Sequence, residues 1–555
     1  MLNIFRNRKL RELRDAWESP QKQDRDFSSI RTLFELTTPA QGQNLIDDKT
    51  WNDLDMNSVF RKIDTTLTSV GQQYLYKKFR LLARPDSSLK DDYHVANLLR
   101  EDRESREQLQ LNLKLVTADD ARSVTRMLFG EFPVVNFPRL ALAGWTVLSL
   151  ATIVYALVTG GIYSFLIIPI LIANFVLSRY FENATDQITY VLYYLYNLAT
   201  VSQRIAKQDL KFALPARREL QDNIDSIRQV RRALKLASFS QNHDNILINN
   251  LMYLINLVVL YDFFVYSFSI KSILGRMETL RRCYLAIGSI DASIATAAYI
   301  QRYSQHSQHS QHSPHTPHTP HTPHTPHTPH AQLCNPEFTD ASRLDFEDVY
   351  HPLLENYVAN SYSTTGPSAL ITGSNMAGKT TFIKTIGVNY ILARTLWLCH
   401  ASSARLPVIG LLSSIKTEDG LEAGKSFYFS ELERLKEFLV ITEKGGGCLL
   451  LIDEIYRGTN TVERIAGAAA VLQELAGKNL VLVTTHDIEL TRYLGNQFDM
   501  WYFEETGSTD RPFDYKLRSG VCETRNAIRL MANMGYPEHI TERARSIAKD
   551  MEAED

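Results

Sequence analysis

The chain has 555 residues, enough for about two to four domains, and its 44% hydrophobic and 22% charged content is that of an ordinary globular protein. A net charge of −2 excludes a chain that binds polyanions over its whole surface, so any nucleic-acid contact must come from a local basic patch. The five cysteines, Cys283, Cys334, Cys399, Cys448 and Cys522, stand far apart, which excludes zinc and thioredoxin-like spacings and fits a reducing compartment.

The N-terminus, MLNIFRNRKLRELRD, is basic but lacks the apolar run of a signal peptide. Residues 1–130 are charged, helical in pattern and poor in Gly and Pro. From Leu140 to Ser178 there is then no charged residue. Two apolar runs, 140–158 and 162–177, flank a Thr159-Gly160-Gly161 turn. A membrane-crossing helix needs ~20 apolar residues, so the pair predicts a transmembrane hairpin. Arg139 and Arg179 at its two ends predict that both face the cytoplasm. The alternative is a hairpin buried in a large soluble core, in a cytoplasmic protein.

The apolar stretch from Asn245 to Tyr261 holds Asn245, Asn249, Asn250 and Asn256. Amides are costly in lipid, so it is expected to form a long helix packed on other helices. Before it, Lys211, Arg217, Arg218, Arg228, Arg231, Arg232 and Lys235 are interleaved with Glu219, Asp222 and Asp225. Such a pattern suits phosphate contacts or a solvated helix face. Residues 304–330 are low complexity, with nine histidines at every third position from His306 to His330. In a polyproline II helix they would line one face, giving either a metal-binding stripe or a plain spacer.

From Leu333 onward, short β-rich runs (SALIT, CLLLID, NLVLVTT) alternate with amphipathic helical segments. That alternation predicts a mostly parallel sheet covered by helices. Three strand ends carry chemistry. Gly373-Ser374-Asn375-Met376-Ala377-Gly378-Lys379-Thr380 fits the phosphate-binding loop G-x-x-x-x-G-K-[ST], between a strand and a helix. Its backbone N–H groups would wrap phosphates, Lys379 would pair with the β- and γ-phosphates, and Thr380 would bind Mg²⁺. A second apolar strand ends in Asp453 and Glu454, suited to holding Mg²⁺ and to activating water as general base. A third ends in His486, which could sense the γ-phosphate.

The segments TGSNMAGKTTFIKTIG, LLLIDEIYRGTNTVERIAGAAAVL and VTTHDIELT together resemble the ATPase domain of the MutS family. Tyr350-His351-Pro352-Leu353-Leu354 resembles the segment that opens that domain, and TERARSIAKD its final helix. The resemblance implies an ABC-related fold that binds ATP with Mg²⁺, with residues Gly373 to Thr381 around the phosphates. It puts Tyr357 where the family carries an adenine-contacting aromatic, and Tyr515 where a nucleotide-contacting histidine is often found. GKSFYFSE (424–431) resembles the signature loop, whose serine, here Ser426, reaches the nucleotide of the partner subunit; a homodimer follows. DMNSVFRKIDTTLTSVGQQYLYKKFRL, with Thr68, Gly71 and Leu75 in register, resembles the start of the MutS core, and residues 276–300, ending in AIGSIDASIATAAYI, resemble where the returning lever helices meet the core.

Departures are equally specific. The resemblance to the core begins by about residue 30, so the Phe-x-Glu mismatch-reading domain and the connector are expected to be missing. Lys425 and Phe427 stand where the family usually has Arg and Thr. The expected fold class is α plus α/β: an N-terminal helical region and start of the core (1–139), the apolar hairpin (140–178), lever and returning core helices (179–303), a linker (304–332) and the ATPase domain (333–555). The expected function is a membrane-anchored, dimeric ATPase acting on DNA without reading mismatches, its ATPase domain cytoplasmic. The alternative is a membrane-associated mechanochemical ATPase that moves a protein partner.

Overall fold

The computed structural model describes the chain except residues 1, 19–24, 39–41, 43, 84–86, 117–119, 134–137, 236–245, 310–331, 341–342, 365, 367, 375, 416–426, 444, 446, 457–459, 506–512, 522–527, 529–530, 533 and 555. Two compact units interleave along the chain. One combines Met1–Ala40, Asp64–Lys77 and Val95–Ala298; the other combines Gln41–Ile63, Lys78–His94 and Tyr299–Asp555.

The first unit is helical. Its inner part is organised by buried polar groups as well as by apolar packing. Asp291 accepts from the Leu67 amide at 3.0 Å, the Thr68 amide at 2.8 Å and the Thr68 hydroxyl at 2.6 Å. Gly71 makes room for it, since a Cβ there would lie 2.3 Å from the Asp291 carboxylate. Burial pushes the Asp291 carboxyl up to about 6 despite these donors. Thr68 and Gly71 thus meet the helix Met277–His309, which covers the segment 276–300 expected to meet the core. Nearby, Gln73 accepts from Thr125 at 2.8 Å and from Tyr284 at 3.0 Å, all three buried among apolar side chains.

The uncharged stretch forms helix Arg139–Thr159, a 3₁₀ turn Gly161–Leu166 and helix Ile167–Lys207. Gly160 and Gly161 both have positive φ, 64° and 59°, which is why a glycine pair stands at the reversal. Pro169 falls in the first turn of its helix, where a missing N–H costs nothing. The two helices are pinned inside the hairpin by Asn174, which accepts from the Trp145 indole at 2.7 Å and donates to Ser149 at 2.9 Å. Their outer faces are bare: Leu140, Val147, Leu157, Val158, Ile162 and Phe165 are all exposed.

Three helices are long and apolar enough to cross a membrane among the described residues. In the most apolar 18 residues of Leu140–Thr159 and of Gly161–Phe181, 22% and 6% of the residues are buried, against 83% in Met277–Ser304. Within the asparagine-rich stretch, Asn245 lies outside the described residues and Ile246–Val259 forms a 14-residue helix. It stops at Leu260, whose φ of 50° breaks the helix before Tyr261–Leu274 begins. It packs on the hairpin, where the Asn256 amide donates to Ser178 at 2.8 Å.

The second unit is α/β. Its strands are β1 (Glu337–Thr339), β2 (Asp345–Val349), β3 (Asn360–Ser363), β4 (Ser368–Thr372), β5 (Ser403–Pro407), β6 (Gly410–Ser414), β7 (Cys448–Asp453), β8 (Leu480–Thr485), β9 (Phe498–Glu505) and β10 (Phe513–Ser519). Six form a sheet in the order β10-β9-β4-β8-β7-β6, parallel except for the β9–β10 pair; four form a smaller sheet in the order β1-β5-β2-β3. β4, β7 and β8 are buried along their whole length, as continuous apolar runs of a parallel sheet require. The helix Asp48–Asp53 covers the β6 edge: the Ser413 amide donates to Thr50 at 3.0 Å, and the Ser413 hydroxyl to Asp53 at 2.6 Å. Helices Lys379–Leu396, Phe427–Glu443 and Thr461–Ala476 complete the layers.

Candidate functional site

β4, β7 and β8 are neighbours in the large sheet, so their C-terminal ends open at one place. The loop after β4 turns through two glycines with positive φ. Gly373 has φ 142° and Gly378 φ 104°, and a Cβ at Gly373 would lie 2.6 Å from the Phe503 carbonyl. Helix Lys379–Leu396 follows at once, so its unpaired N–H groups face the loop. Lys379 is 2% exposed and donates to the carbonyls of Gly373 and, at 2.9 Å, Ser374. Its ammonium is thereby held inside the loop. Ala377 is buried and Met376 exposed, while Ser374 carries a buried hydroxyl without a partner among the described residues.

The Thr380 hydroxyl donates to Asp453 at 2.8 Å, and the other Asp453 oxygen accepts from Thr484 of β8. Glu454 is 7% exposed, has φ 53°, and its amide donates to the Thr484 carbonyl at 3.0 Å. His486 is 43% exposed, with Nδ1 3.7 Å from Glu454. Asp487 beside it is held by Arg464 through two hydrogen bonds of 2.9 and 2.7 Å. Lys379, Thr380, Asp453, Glu454 and His486 are therefore gathered around one strand-end opening. Asn375 and Ser426 lie outside the described residues, as do the histidines of the repeat beyond His309.

Next to the loop is a cavity of about 320 Å³ lined by Tyr350, His351, Tyr357, Gly378, Thr381 and Tyr515 among others. Tyr357 stacks on Tyr350 with ring centres 4.0 Å apart. Tyr515, with φ 55°, is clamped by Asn360, whose amide donates to the Tyr515 carbonyl at 3.0 Å and whose oxygen accepts from Leu517 at 2.8 Å. The tyrosines at 357 and 515, far apart in the chain, thus face the same space as Gly378. Burial lowers His351 to about 4 and His400, behind Tyr350, to about 3.

Two site residues escaped the motif reading. Glu431 accepts from the Tyr456 amide at 2.6 Å and so anchors the turn that follows Asp453 and Glu454. It closes the GKSFYFSE segment, the only sequence signal it had. Thr484 shares Asp453 with Thr380, and its sole sign was its place one residue before the end of β8.

The α/β unit and this opening define a class. Residues 369–552 match the family model of MutS domain V. Similar curated proteins are named as DNA mismatch repair proteins MutS and a MutS protein homolog. The MutS of Leptospira interrogans is 32% identical over 235 residues, 39% of this chain and 27% of that protein. The MutS of Aquifex pyrophilus is 32% identical over 232 residues, 40% of this chain and 27% of that protein. MutS protein homolog 4 of Mus musculus is 33% identical over 209 residues, 34% of this chain and 21% of that protein. The chain thus spans about a quarter of the length of the curated relatives it matches. Its mixed helical and α/β architecture fits a carrier of that domain.

Proposed function

We propose that this chain is a MutS-like ATPase that works as a membrane-anchored homodimer. One observation carries the reading: a glycine loop with a buried lysine, a threonine–aspartate pair and a buried glutamate converge at the ends of three adjacent parallel strands. In this reading Gly373 to Thr381 cradle the triphosphate of ATP, and Lys379 exchanges its two carbonyl partners for phosphate oxygens. Thr380 and Asp453 are hard oxygen donors 2.8 Å apart, a set that suits Mg²⁺. When bound there, that ion neutralises phosphate charge. Glu454 takes a proton from the attacking water, and His486, within 3.7 Å of it, orients that carboxylate and senses the γ-phosphate. Tyr357 and Tyr515 hold the base in the cavity beside the loop.

The exposed hairpin supports the membrane anchor. Its two candidate spans, Leu140–Thr159 and Gly161–Phe181, are 20 and 21 residues, the ~20 residues that a bilayer crossing needs. Tyr155 and Tyr163 sit together near its tip, while Arg179 and Tyr180 mark its base. Both bases then face the cytoplasm with the ATPase domain. Ser426 would complete the site of the second subunit, so Lys379→Ala and bulky Ser426 variants, each inactive alone, should regain activity when mixed. No recovery in proven heterodimers would refute the shared site.

DNA is the partner that the relatives' names suggest. A protein partner is the second reading, favoured by the basic cluster: Lys211 pairs with Glu104 at 3.4 Å and Arg228 with Asp225 at 2.7 Å. DNA binding by the purified protein over a salt series, with and without ATP, separates the two. Binding that weakens steeply with salt supports DNA; none at low salt supports the protein partner.

A further inference from the structure

We propose that Cys334 and Cys399 are a redox site: they close into a reversible disulfide behind the tyrosine-lined cavity. The two residues face each other in an isolated antiparallel bridge. They exchange both backbone hydrogen bonds, at 3.0 and 2.9 Å. In such a pair the Cα atoms lie ~5.5 Å apart, inside the ~4.4–6.8 Å range that a disulfide spans. Both thiols are free. The backbone bridge therefore holds the two Cα atoms within the range a disulfide spans, and closure requires the side chains to draw together across this wider, hydrogen-bonded kind of pair.

The two thiols are unequal in a useful way. Cys334 is partly exposed, and its contact with Cys399 favours the thiolate. Cys399 is fully buried, and burial keeps it protonated. Cys334 is thus the attacking group and Cys399 the resolving one. The oxidant is a low-molecular-weight disulfide. The Cys334 thiolate attacks one of its sulfurs, the external S–S bond breaks, and one thiolate leaves. Cys399 then gives up its proton and attacks the Cys334 sulfur of the mixed disulfide, expelling the second. Two protein thiols are oxidised, one external disulfide is reduced to two thiols, and the two protons end on those thiols.

The bond would be felt in the cavity wall. The Cys399 thiol donates to the Asn389 carbonyl at 3.7 Å, on the helix that starts at Lys379. Asn389 also donates to the Tyr350 carbonyl at 3.1 Å and accepts from the His400 amide at 2.6 Å. The Tyr350 hydroxyl donates to the Gln332 carbonyl at 3.1 Å, two residues before Cys334. Oxidation removes the thiol donor and ties both supports of Tyr350 together, and Tyr350 is the ring on which Tyr357 stacks.

The test treats the purified full-length chain in detergent with oxidised glutathione, blocks remaining thiols with N-ethylmaleimide, and maps peptides by mass spectrometry. A 334–399 linked peptide is expected, lost on reduction and absent in Cys334→Ser. Cys399→Ala should stop at a glutathione adduct on Cys334. Cys283 and Cys448, pushed up by burial to about 12 and about 11, should stay unmodified. A glutathione adduct on wild-type Cys334 with no linked peptide overturns the proposal. Oxidation should also weaken binding of a fluorescent ATP analogue ~threefold, the scale of one weak hydrogen bond, reversibly and not in Cys334→Ser. Unchanged affinity in the crosslinked protein overturns the link to the cavity. That second readout rests on the ATP reading, whereas the linked peptide does not, so the two failures are distinguishable.

Discussion

The hairpin and the strand-end opening break the usual rule of burial in opposite senses. In the hairpin, large apolar side chains face outward, and only 22% and 6% of the residues in the most apolar stretches of its two arms are buried. At the opening, Lys379, Asp453 and Glu454 are 2%, 8% and 7% exposed. An exposed apolar patch and a buried charge are the informative departures from ordinary burial. Each is costly in water unless something else completes it. At the opening protein groups meet the charges, two loop carbonyls for Lys379 and the Thr380 and Thr484 hydroxyls for Asp453; no such partner covers the outer apolar side chains of the hairpin among the described residues. The helix Met277–Ser304 sharpens the point, because it is apolar enough to span a membrane yet 83% of the residues in its most apolar stretch are buried.

The contrast can be broken most severely at the hairpin. Deleting 140–178 should move the protein from the membrane fraction to the soluble fraction almost completely, as fractionation and immunoblotting would show. An intact chain that is soluble without detergent would mean that protein, not lipid, covers that face. At the opening, Glu454→Gln should keep ATP binding and slow turnover by ~10²-fold or more, the usual weight of a positioned base. Near-normal steady-state turnover would remove Glu454 from that role and leave its burial to be explained by packing.

A weaker effect is expected from the buried histidines beside the cavity. His351 and His400 are lowered to about 4 and about 3, from 6.5 when unfolded. Below 6.5 the unfolded chain binds protons that the folded chain refuses, so stability is full above that pH and falls as pH drops toward 4. By pH 5 each costs roughly 2 kcal/mol. The thermal midpoint in detergent should therefore fall between pH 7 and pH 5, and less steeply in His400→Gln. Equal slopes would show that His400 is not held neutral. The smallest effect is expected from the repeat: replacing 304–330 by a flexible linker should leave ATPase activity within about twofold. A large loss, with activity in the intact chain depending on zinc or nickel, would turn the histidine stripe into a metal site.

The glycine loop, the Asp453-Glu454 pair and His486 were legible because each occupies a strand end, and both strand and loop are local in sequence. Tyr357 and Tyr515 were named only by resemblance, and their shared cavity comes from chain segments over 150 positions apart. Glu431 was quoted without a role, because its partner is a backbone amide 25 residues on. The positive φ at Leu260, which ends the asparagine-rich helix, has no signature in hydropathy.

By itself the sequence determined where the chain turns sharply, where it runs apolar, and which reactive side chains stand at strand ends. These depend on side-chain chemistry and on spacing along a short stretch of backbone. Only the tertiary structure decided which apolar helix is covered and which is bare. It also decided that Gly71 yields space to Asp291, and that Cys334 and Cys399 share one bridge. Hydropathy counts the residues on a helix, but burial depends on what packs against it, and those partners come from distant parts of the chain.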